Sequence, residues 1–287
     1  MSGSRSGLAG QRLLVTGASG FIGARLCERA CDLGALVHGV SRRPSPGLSA
    51  GLRWEHADLT DESATRALVR RVQPDVVLHL ASEVTGDRSA RLIVPLLQAN
   101  LVAAVNVMLA SHEVGCGRVV LAGSMEEPDS DDTKAVAQSP YAAAKWAAAT
   151  YARMFRALYE LPVVHLRIFM VYGPGQRDLR KLVPYVASSL LRGEAPQLTS
   201  GDRKVDWIYV DDVVDAFLAA AVTPDAEGAS LDIGSGELVP VREVVAHLRR
   251  LVGETVEPRF GALPDRKFER VRAADPRPAA AAIGWRP

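Results

Sequence analysis

Short apolar runs alternate with amphipathic stretches from residue 12 onward, and this alternation restricts the fold more than any other feature of the chain. The apolar runs predict β-strands over residues 13–15, 35–40, 52–57, 76–80, 119–122, 163–169 and 230–233. The amphipathic stretches predict α-helices over residues 21–33, 61–72, 92–114, 140–159, 211–221 and 241–252. Strands that alternate with helices form βαβ units, so we predict an α/β fold with a doubly wound parallel sheet covered by helices on both faces.

The pattern loosens after Gly173. Pro174, Pro184 and Pro196 interrupt it, and the tail from residue 257 is rich in Pro, Arg and Ala with weak secondary-structure signals. We therefore predict a larger domain over residues 8–170 and a smaller C-terminal lobe over residues 171–287 that covers the ligand end of the sheet. Residues from about 205 to 235 are expected to return to the larger domain.

The composition argues against several classes of protein. Lys and Arg total 34 while Asp and Glu total 33, so the chain lacks the basic excess typical of nucleic-acid binders. We find no stretch close to the ~18 apolar residues that span a bilayer, so no membrane partner is expected. Residues 1–12 lack the apolar core of a signal peptide, and the 3 cysteines are too few for a disulfide framework. These features predict a cytoplasmic protein.

Three glycines at a spacing of three residues follow the first predicted strand, where the chain turns into a helix. Gly17 allows a tight turn, Gly20 lets the backbone approach a pyrophosphate, and Gly23 lets the helix pack closely against the strand. The first helical turn adds free N–H groups and the positive end of the helix dipole. This segment predicts a Rossmann-type dinucleotide site whose phosphate-binding residues are Gly17, Ser19, Gly20, Phe21, Ile22 and Gly23.

The end of the second predicted strand indicates which dinucleotide binds. Sites that prefer NAD place Asp or Glu there, about 20 residues after the glycines, to bond the ribose 2′-hydroxyl. This chain has Ser41, Arg42 and Arg43 instead, and a hydroxyl with two guanidinium groups suits a 2′-phosphate. We therefore predict NADP as the cofactor, with NAD as the alternative. Asp58 and Leu59, at the end of the third strand, are expected to border the adenine.

A tyrosine and a lysine four residues apart stand at the start of a predicted helix. Tyr141 and Lys145 share one helix face, and a nearby ammonium favours the phenolate and lowers the pKa of a tyrosine. Tyr141 is therefore a candidate to give a proton to a carbonyl or to take one from a hydroxyl. Ser124 stands at the carboxyl end of a predicted parallel strand, where ligands bind in such sheets, and is expected to hydrogen-bond the same substrate oxygen.

With these motifs the chain resembles the extended short-chain dehydrogenase/reductase family, in its branch of nucleotide-sugar epimerases, dehydratases and ketoreductases. The resemblance extends from Leu13 to Trp285. It is carried by residues 16–23, 58–59, 79–82, Asn100, Ser124, Tyr141 with Lys145, Arg167, residues 171–174, 206–212 and 233–236.

The resemblance implies roles for particular residues. Ser124, Tyr141 and Lys145 would be the catalytic group, and Lys145 would also hold the nicotinamide ribose. The cofactor would be lined by Leu80, Ala81, Ser82 and Asn100. A homodimer built from two long helices of each subunit is implied as well. The six histidines show no ligand spacing, so no metal is expected.

Two departures from the family pattern concern the substrate. The family often has Asn before its Val-Tyr-Gly-Pro motif and Arg before its Asp-Trp step, both at the substrate diphosphate. This chain has Met170 and Val205 at those positions. Arg266 is the remaining candidate for an arginine that contacts a phosphate of the substrate.

The segment after Ser124 bears on the reaction. Sugar 4,6-dehydratases of the family carry Thr-Asp-Glu where this chain has Ser124, Met125 and Glu126, and methionine cannot donate the proton that dehydration needs. Glu126 stays a candidate base or ligand of a sugar hydroxyl. Glu126, Glu127 and the acidic residues that follow also fit a solvated acidic loop.

These observations favour a reductase, because a net reductase must exchange its cofactor and cells supply hydride mainly as NADPH. We predict an NAD(P)-dependent oxidoreductase that acts on a nucleotide-activated sugar, as a 4-ketoreductase of an NDP-4-keto-deoxyhexose. The alternatives are an NAD-dependent nucleotide-sugar 4-epimerase or dehydratase. A non-catalytic cofactor-binding protein is less favoured, because both Tyr141 and Lys145 are present.

Overall fold

The computed structural model describes residues 5–42, 51–128, 135–253, 256–265 and 271–287. Seven parallel strands form its main sheet, and in chain order they are β1 (Arg12–Thr16), β2 (Leu36–Val40), β3 (Leu52–Glu55), β4 (Val76–His79), β5 (Arg118–Ser124), β6 (Val163–Ile168) and β9 (Ser230–Ile233). Their order across the sheet is β3-β2-β1-β4-β5-β6-β9. The α/β class and the parallel sheet predicted from the sequence are confirmed.

The strand order reverses at β1. Leu14 of β1 lies opposite His38 of β2 on one side and opposite Val77 of β4 on the other. The loops after β1 and β4 therefore leave the sheet in opposite directions and open a crevice at the carboxyl ends of the strands. The residues predicted to bind cofactor follow β1, β2, β3, β4 and β5, so the topology brings them to one edge of the sheet.

Helices cover both faces of the sheet. Leu13 and Val15 of β1 point to one face, which is covered by α1 (Phe21–Asp32), α7 (Val210–Val222) and α9 (Arg277–Ile283). Leu14 points to the other face, covered by α2 (Glu62–Val72), α4 (Ala103–Glu113) and α5 (Pro140–Tyr159). Alternate residues of each central strand thus enter two separate hydrophobic cores, which confirms the doubly wound arrangement.

A second, smaller sheet lies in the C-terminal part of the chain. Its strands are β7 (Met170–Tyr172), β8 (Lys204–Tyr209) and β10 (Leu238–Pro240), in the order β10-β8-β7. Two helices, α6 (Leu182–Leu191) and α8 (Val241–Val252), pack on each other around Val186, Leu190 and Val245. Because β9 returns to the main sheet, the chain passes more than once between the two parts. The proposed division at residue 170 stays a prediction.

The helical run Ala90–Glu113 corrects one expectation. It comprises the 3₁₀ turn Ala90–Leu92, α3 (Ile93–Leu97), the π-helical turn Gln98–Val102 and α4. An 18-residue window of this run has a mean hydropathy of 2.0, which by length and composition is enough to cross a membrane. The expectation that no apolar stretch approaches this length is therefore wrong. A core helix passes the same test, and α4 buries Ala103, Val107 and Met108 in the second core.

Asp206 ties β8 to the loop after β9 and to the C-terminal tail. Its side chain is 0% exposed. One carboxylate oxygen accepts hydrogen bonds from the backbone N and Oγ of Ser235, at 2.7 and 2.8 Å. The other oxygen accepts from the backbone N of Gly236 and of Ala274, both at 2.9 Å. One buried side chain therefore satisfies backbone donors from two distant segments.

Replacing Asp206 with Ala should destabilise the protein by about 3 kcal/mol or more, because one buried and two half-buried backbone N–H groups lose their acceptor. Urea unfolding of the variant measures this change in the free energy of unfolding. Asp202→Ala is the matched control, since that side chain is 75% exposed and pairs with Arg242 at the surface. It should change the free energy of unfolding by less than about 0.5 kcal/mol. Equal losses in the two variants would contradict the prediction.

Candidate active site

The glycine turn packs its own backbone closely against neighbouring backbone. Gly17 has a φ of +71°, and a Cβ on it would lie 2.8 Å from the backbone N of Ala81. A Cβ on Gly23 would lie 2.2 Å from the carbonyl oxygen of Gly17. Only glycine fits these two places, because the first needs a left-handed backbone and both bring backbone against backbone.

Helix α1 begins at Phe21, and its N-cap Gly20 provides no side chain to cap the first turn. Ser19 and Gly20 are exposed there, while Phe21 and Ile22 are half-buried. The uncapped N–H groups and the positive end of the helix dipole thus face the crevice. This cradle fits the pyrophosphate of a dinucleotide, as the sequence predicts.

The end of β2 contacts the glycine turn. The hydroxyl oxygens of Ser19 and Ser41 lie 2.7 Å apart, so the two predicted segments meet. Arg42 is exposed next to them, and its carbonyl oxygen lies 3.0 Å from Nε2 of His56. Arg43 lies outside the described residues. No carboxylate stands at the end of β2 itself among the residues that the structure describes.

The two residues expected at the adenine have different environments. Asp58 is exposed, and hydrogen bonds from the backbone and hydroxyl of Thr60 hold the pKa of its carboxyl below the ordinary value. Leu59 is 7% exposed and belongs to the second core. Asp58 is therefore the member of this pair with a surface that a ligand can reach.

Thr16 and His79 join the ends of β1 and β4 beneath the crevice. Oγ1 of Thr16 lies 2.8 Å from Nδ1 of His79 and accepts the backbone N–H of Ala81 at 3.1 Å. Its carbonyl accepts the N–H of Leu80 at 3.2 Å. Burial and the charge of Lys145 lower the pKa of His79 to about 3, so the ring is neutral. Thr16 belongs to the motif of residues 16–23, but the sequence predicts no role of its own for it.

Asn100 fixes the loop that follows β4. Its side chain, 1% exposed, projects from the π-helical turn and accepts hydrogen bonds from Oγ of Ser82 at 2.6 Å and from N of Glu83 at 3.0 Å. Its amide donates to the carbonyl of Glu83 at 3.1 Å. The structure therefore brings together Ser82 and Asn100, which the resemblance placed along the cofactor.

The start of α5 presents Tyr141 and Lys145 to the end of β5. Ser139 caps the helix by accepting the N–H of Ala142 at 3.0 Å, and Pro140 occupies the first turn. Tyr141 is 7% exposed and hydrogen-bonds with Ser124 and Ser82. Lys145 is 4% exposed and donates from Nζ to the carbonyl oxygen of Ala122 at 2.8 Å.

The pKa of Tyr141 shifts in the opposite direction to the prediction. Burial raises this pKa above its ordinary value, the hydrogen bond with Ser124 acts against the rise, and the charges of Glu126 and Glu127 add to it. The prediction that Lys145 lowers the pKa of Tyr141 is therefore wrong for the chain by itself. Burial also lowers the pKa of Lys145 to about 8, and the charge of Glu127 opposes that shift. At neutral pH the phenol keeps its proton.

The two glutamates that begin the acidic segment after Ser124 make hydrogen bonds within the protein, and one of them is buried. Glu127 is 2% exposed, and its Oε1 accepts the N–H of Ser124 at 2.7 Å. Oε2 of Glu126 accepts a hydrogen bond from Oγ of Ser139 at 3.2 Å. The interpretation as a solvated acidic run is therefore wrong for Glu127, while residues 129–134 and the predicted phosphate contact Arg266 lie outside the described residues. No group of three or more His, Cys, Asp or Glu suited to a metal is found within the described ranges.

The profile of the NAD dependent epimerase/dehydratase family matches residues 13–234 of the chain. The chain belongs to this family. It is 31% identical over 301 residues to UDP-glucose 4-epimerase of Mycolicibacterium smegmatis, covering 96% of this chain and 93% of the relative. It is also 31% identical over 264 residues to 2-alkyl-3-oxoalkanoate reductase of Stenotrophomonas maltophilia, covering 84% and 76%.

A solved structure of MoeE5 in complex with UDP-glucose and NAD superposes on the chain with a TM-score of 0.84. The two are 33% identical, and the match covers 96% of this chain and 93% of MoeE5. The protein is thus an enzyme of the NAD dependent epimerase/dehydratase family with a Rossmann-type fold, as the resemblance implied.

The buried ammonium of Lys145 should make the stability of the enzyme depend on pH. The pKa of Lys145 is lowered to about 8 in the folded chain, so between pH 8 and 10 the unfolded chain binds more protons and folding becomes more favourable as pH rises. Relative to Lys145→Met, the wild type should gain about 2 kcal/mol between pH 7.5 and 9.5. Urea unfolding at both pH values measures the difference, and a constant difference would contradict the shift.

Proposed function

We propose that the enzyme is an NADPH-dependent reductase of a nucleotide-activated sugar, acting on the C4 keto group of an NDP-4-keto-deoxyhexose. The observation that carries this proposal is the end of β2, where Ser41 and Arg42 stand in place of an acidic residue. Ser41 already contacts Ser19 of the glycine turn, which places its hydroxyl beside the phosphate cradle. A 2′-phosphate at this place would meet hydroxyl and guanidinium donors without a facing carboxylate of β2.

The catalytic chemistry assigned to this chain is proton donation to the keto oxygen. Tyr141 gives the proton, because its raised pKa keeps the phenol protonated at neutral pH. Oγ of Ser124 accepts the N–H of Glu126 at 3.2 Å, and the hydroxyl also carries one hydrogen that it can donate. We assign this hydrogen to the substrate oxygen. Lys145 lies one helical turn after Tyr141 and is assigned to the nicotinamide ribose. NADPH, when bound, supplies the hydride.

The residues after Ser124 support a reductase over a dehydratase. Met125 is 8% exposed and occupies the place of the acid that protonates a leaving hydroxyl in dehydration. A thioether carries no proton to donate. Glu126 is half-buried beside Ser139 and is assigned to a hydroxyl of the sugar ring.

A second candidate is a nucleotide-sugar 4-epimerase, favoured by the identity of 31% with the UDP-glucose 4-epimerase of Mycolicibacterium smegmatis. An epimerase returns the hydride to the same substrate, so it retains its cofactor and shows no net oxidation of NADPH. Its substrate would be a nucleotide hexose without a keto group. The two candidates therefore differ in both substrate and cofactor turnover.

The exposed apolar side chains of α3 and α5 support a homodimer. Ile93, Val94 and Leu97 of α3 are 51%, 61% and 42% exposed. Tyr151 and Leu158 of α5, the helix on which α3 packs, are 41% and 67% exposed. Two such helices from each subunit would bury these side chains in one four-helix interface.

Arg42→Ala should weaken the binding of NADP by about 1.5–3 kcal/mol, which is tenfold or more in Kd, because one charge-assisted contact to the 2′-phosphate is lost. Fluorescence titration of NADPH and NADH measures both affinities, and the affinity for NADH should stay unchanged. Arg277→Ala is the control, since this arginine pairs with Asp275 at the surface. Tighter binding of NADH than NADPH by the wild type would contradict the preference for NADP.

Tyr141→Phe should lower turnover about a hundredfold or more, because the ring remains but the proton donor is lost. NADPH oxidation with an NDP-4-keto-6-deoxyhexose measures turnover, and cofactor binding should survive. Full activity of the variant would overturn the assigned role of Tyr141. If the wild type instead converts UDP-glucose to its C4 epimer without net cofactor oxidation, the epimerase is the correct assignment.

A further inference from the structure

The turn after β5 buries a carboxylate directly behind Ser124. The backbone N–H of Glu127 donates to the carbonyl of Ser124 at 3.0 Å and closes a tight turn. The side chain folds back over this turn, and its Oε1 accepts the N–H of Ser124 at 2.7 Å. A glutamate that is 2% exposed needs partners for its charge, because desolvation of an unpaired carboxylate is costly.

A histidine on the neighbouring strand lies against this carboxylate. Nε2 of His165 lies 3.4 Å from Oε2 of Glu127, and the two side chains are 7% and 2% exposed. On its other side the ring lies with Nδ1 2.8 Å from Oγ of Ser230 on β9. Three side chains from the β5 turn, β6 and β9 therefore form a row behind the end of β5.

Gly123 leaves the space that this pair occupies. A Cβ on Gly123 would lie 2.1 Å from Nε2 of His165 and 2.6 Å from Oε1 of Glu127. The imidazole and the carboxylate thus pack directly against the backbone that precedes Ser124. Any larger residue at position 123 would push both groups away from the strand.

His165 and Ser230 also line a small cavity between α5 and the strands β6 and β9. The cavity has a volume of about 20 Å³ and is lined by His165, Ser230, Arg153 and Gly228 among others. This volume holds about one water molecule.

Charged and titratable groups surround Glu127 from several elements. They are His165 on β6, Lys145 and Tyr141 on α5, Glu126 in the same turn, His79 of β4, which acts on Lys145, and Arg153 at the cavity. Lys145 and Glu127 bind the same short stretch of β5, because Nζ of Lys145 donates to the carbonyl of Ala122 at 2.8 Å and Oε1 of Glu127 accepts the N–H of Ser124 at 2.7 Å. At this place the carboxylate of Glu127 favours the ammonium of Lys145. Tyr141, in contrast, is held in its protonated form by the same carboxylate.

We propose that Glu127, braced by His165, is a positioning residue of the active site that holds the backbone of Ser124 in place and supplies the negative charge that keeps Lys145 protonated. The inference rests on the proposed roles of Ser124, Tyr141 and Lys145. Glu127 contacts no reacting atom. It acts through Ser124, by a hydrogen bond, and through Lys145, by its charge.

Glu127→Gln separates these two effects. The amide oxygen still accepts the N–H of Ser124, so the turn is retained, while the negative charge is lost. Without this charge the ammonium of Lys145 is less favoured, and its pKa falls below the present value of about 8. We expect a fall of about one unit, a tenfold change in the acid dissociation constant.

The experiment is a pH titration of the protein labelled with ¹³C at the ε-carbon of lysine and followed by NMR. The chain has five lysines, and the signal of Lys145 is the one that Lys145→Met removes. The expected result is a lower pKa of Lys145 in Glu127→Gln than in the wild type. An unchanged pKa overturns the inference, and this measurement needs neither substrate nor turnover.

Two further variants separate a specific charge effect from a general disturbance. Glu55→Gln is the matched control, because Glu55 also pairs with a histidine, His38, at 3.0 Å in the same sheet but away from Ser124. It should leave the pKa of Lys145 unchanged. His165→Gln keeps the carboxylate, so it should not lower this pKa. A fall of equal size in either variant overturns the inference.

The pH profile of turnover then tests the link to catalysis. If the ammonium of Lys145 is needed, turnover falls as pH rises through its pKa. In Glu127→Gln this alkaline limb should move to lower pH by the amount measured by NMR. If the pKa of Lys145 falls by NMR while the alkaline limb of turnover stays at the same pH, Glu127 does act on Lys145, but the catalytic role of Lys145 is overturned. Loss of the NMR shift would instead overturn the role of Glu127.

Discussion

The hydrogen bond from the ammonium of Lys145 to the carbonyl of Ala122 holds the active site together, because it fixes α5 against the end of β5. Tyr141 lies one helical turn before the lysine, and Ser124 lies two residues after the carbonyl. Once this contact forms, the spacing within helix and strand brings the phenol and the serine hydroxyl together. A buried ammonium is unfavourable without partners, so the surrounding groups are arranged around its charge.

The charge of Lys145 accounts for the protonation and placement of the polar groups around it. His79 stays neutral beside the lysine, and Thr16 binds its ring while it also accepts the N–H of Ala81. Glu127 supplies negative charge from behind the strand. The same burial that lowers the pKa of Lys145 raises that of Tyr141, so one physical cause keeps the donor protonated and the cation near its titration range.

The main sheet was predictable because its signals are local. Each strand is a short apolar run between turn residues, and the covering helices α1, α2, α4, α5 and α7 have the length and period of a helix, so these elements can be identified. The short covering helix α9 was not predicted, because its seven residues lie in the weakly patterned tail. The second sheet was not predicted. β7 and β10 have three residues each, too few to show a pattern. The pattern predicts an interruption at Pro184, but this proline lies in the first turn of α6, where a missing N–H does no harm.

The candidate site divides in the same way. The sequence by itself determined the glycine turn, Ser41 and Arg42 at the end of β2, and the spacing of Tyr141 and Lys145, because each depends on neighbours within one turn of chain. Only the tertiary structure decided that the pKa of Tyr141 is raised and not lowered. It also decided that the side chain of Glu127 is buried against His165. Burial and charge pairing depend on groups from separate strands and helices, and their distance in space is set by packing rather than by spacing along the chain.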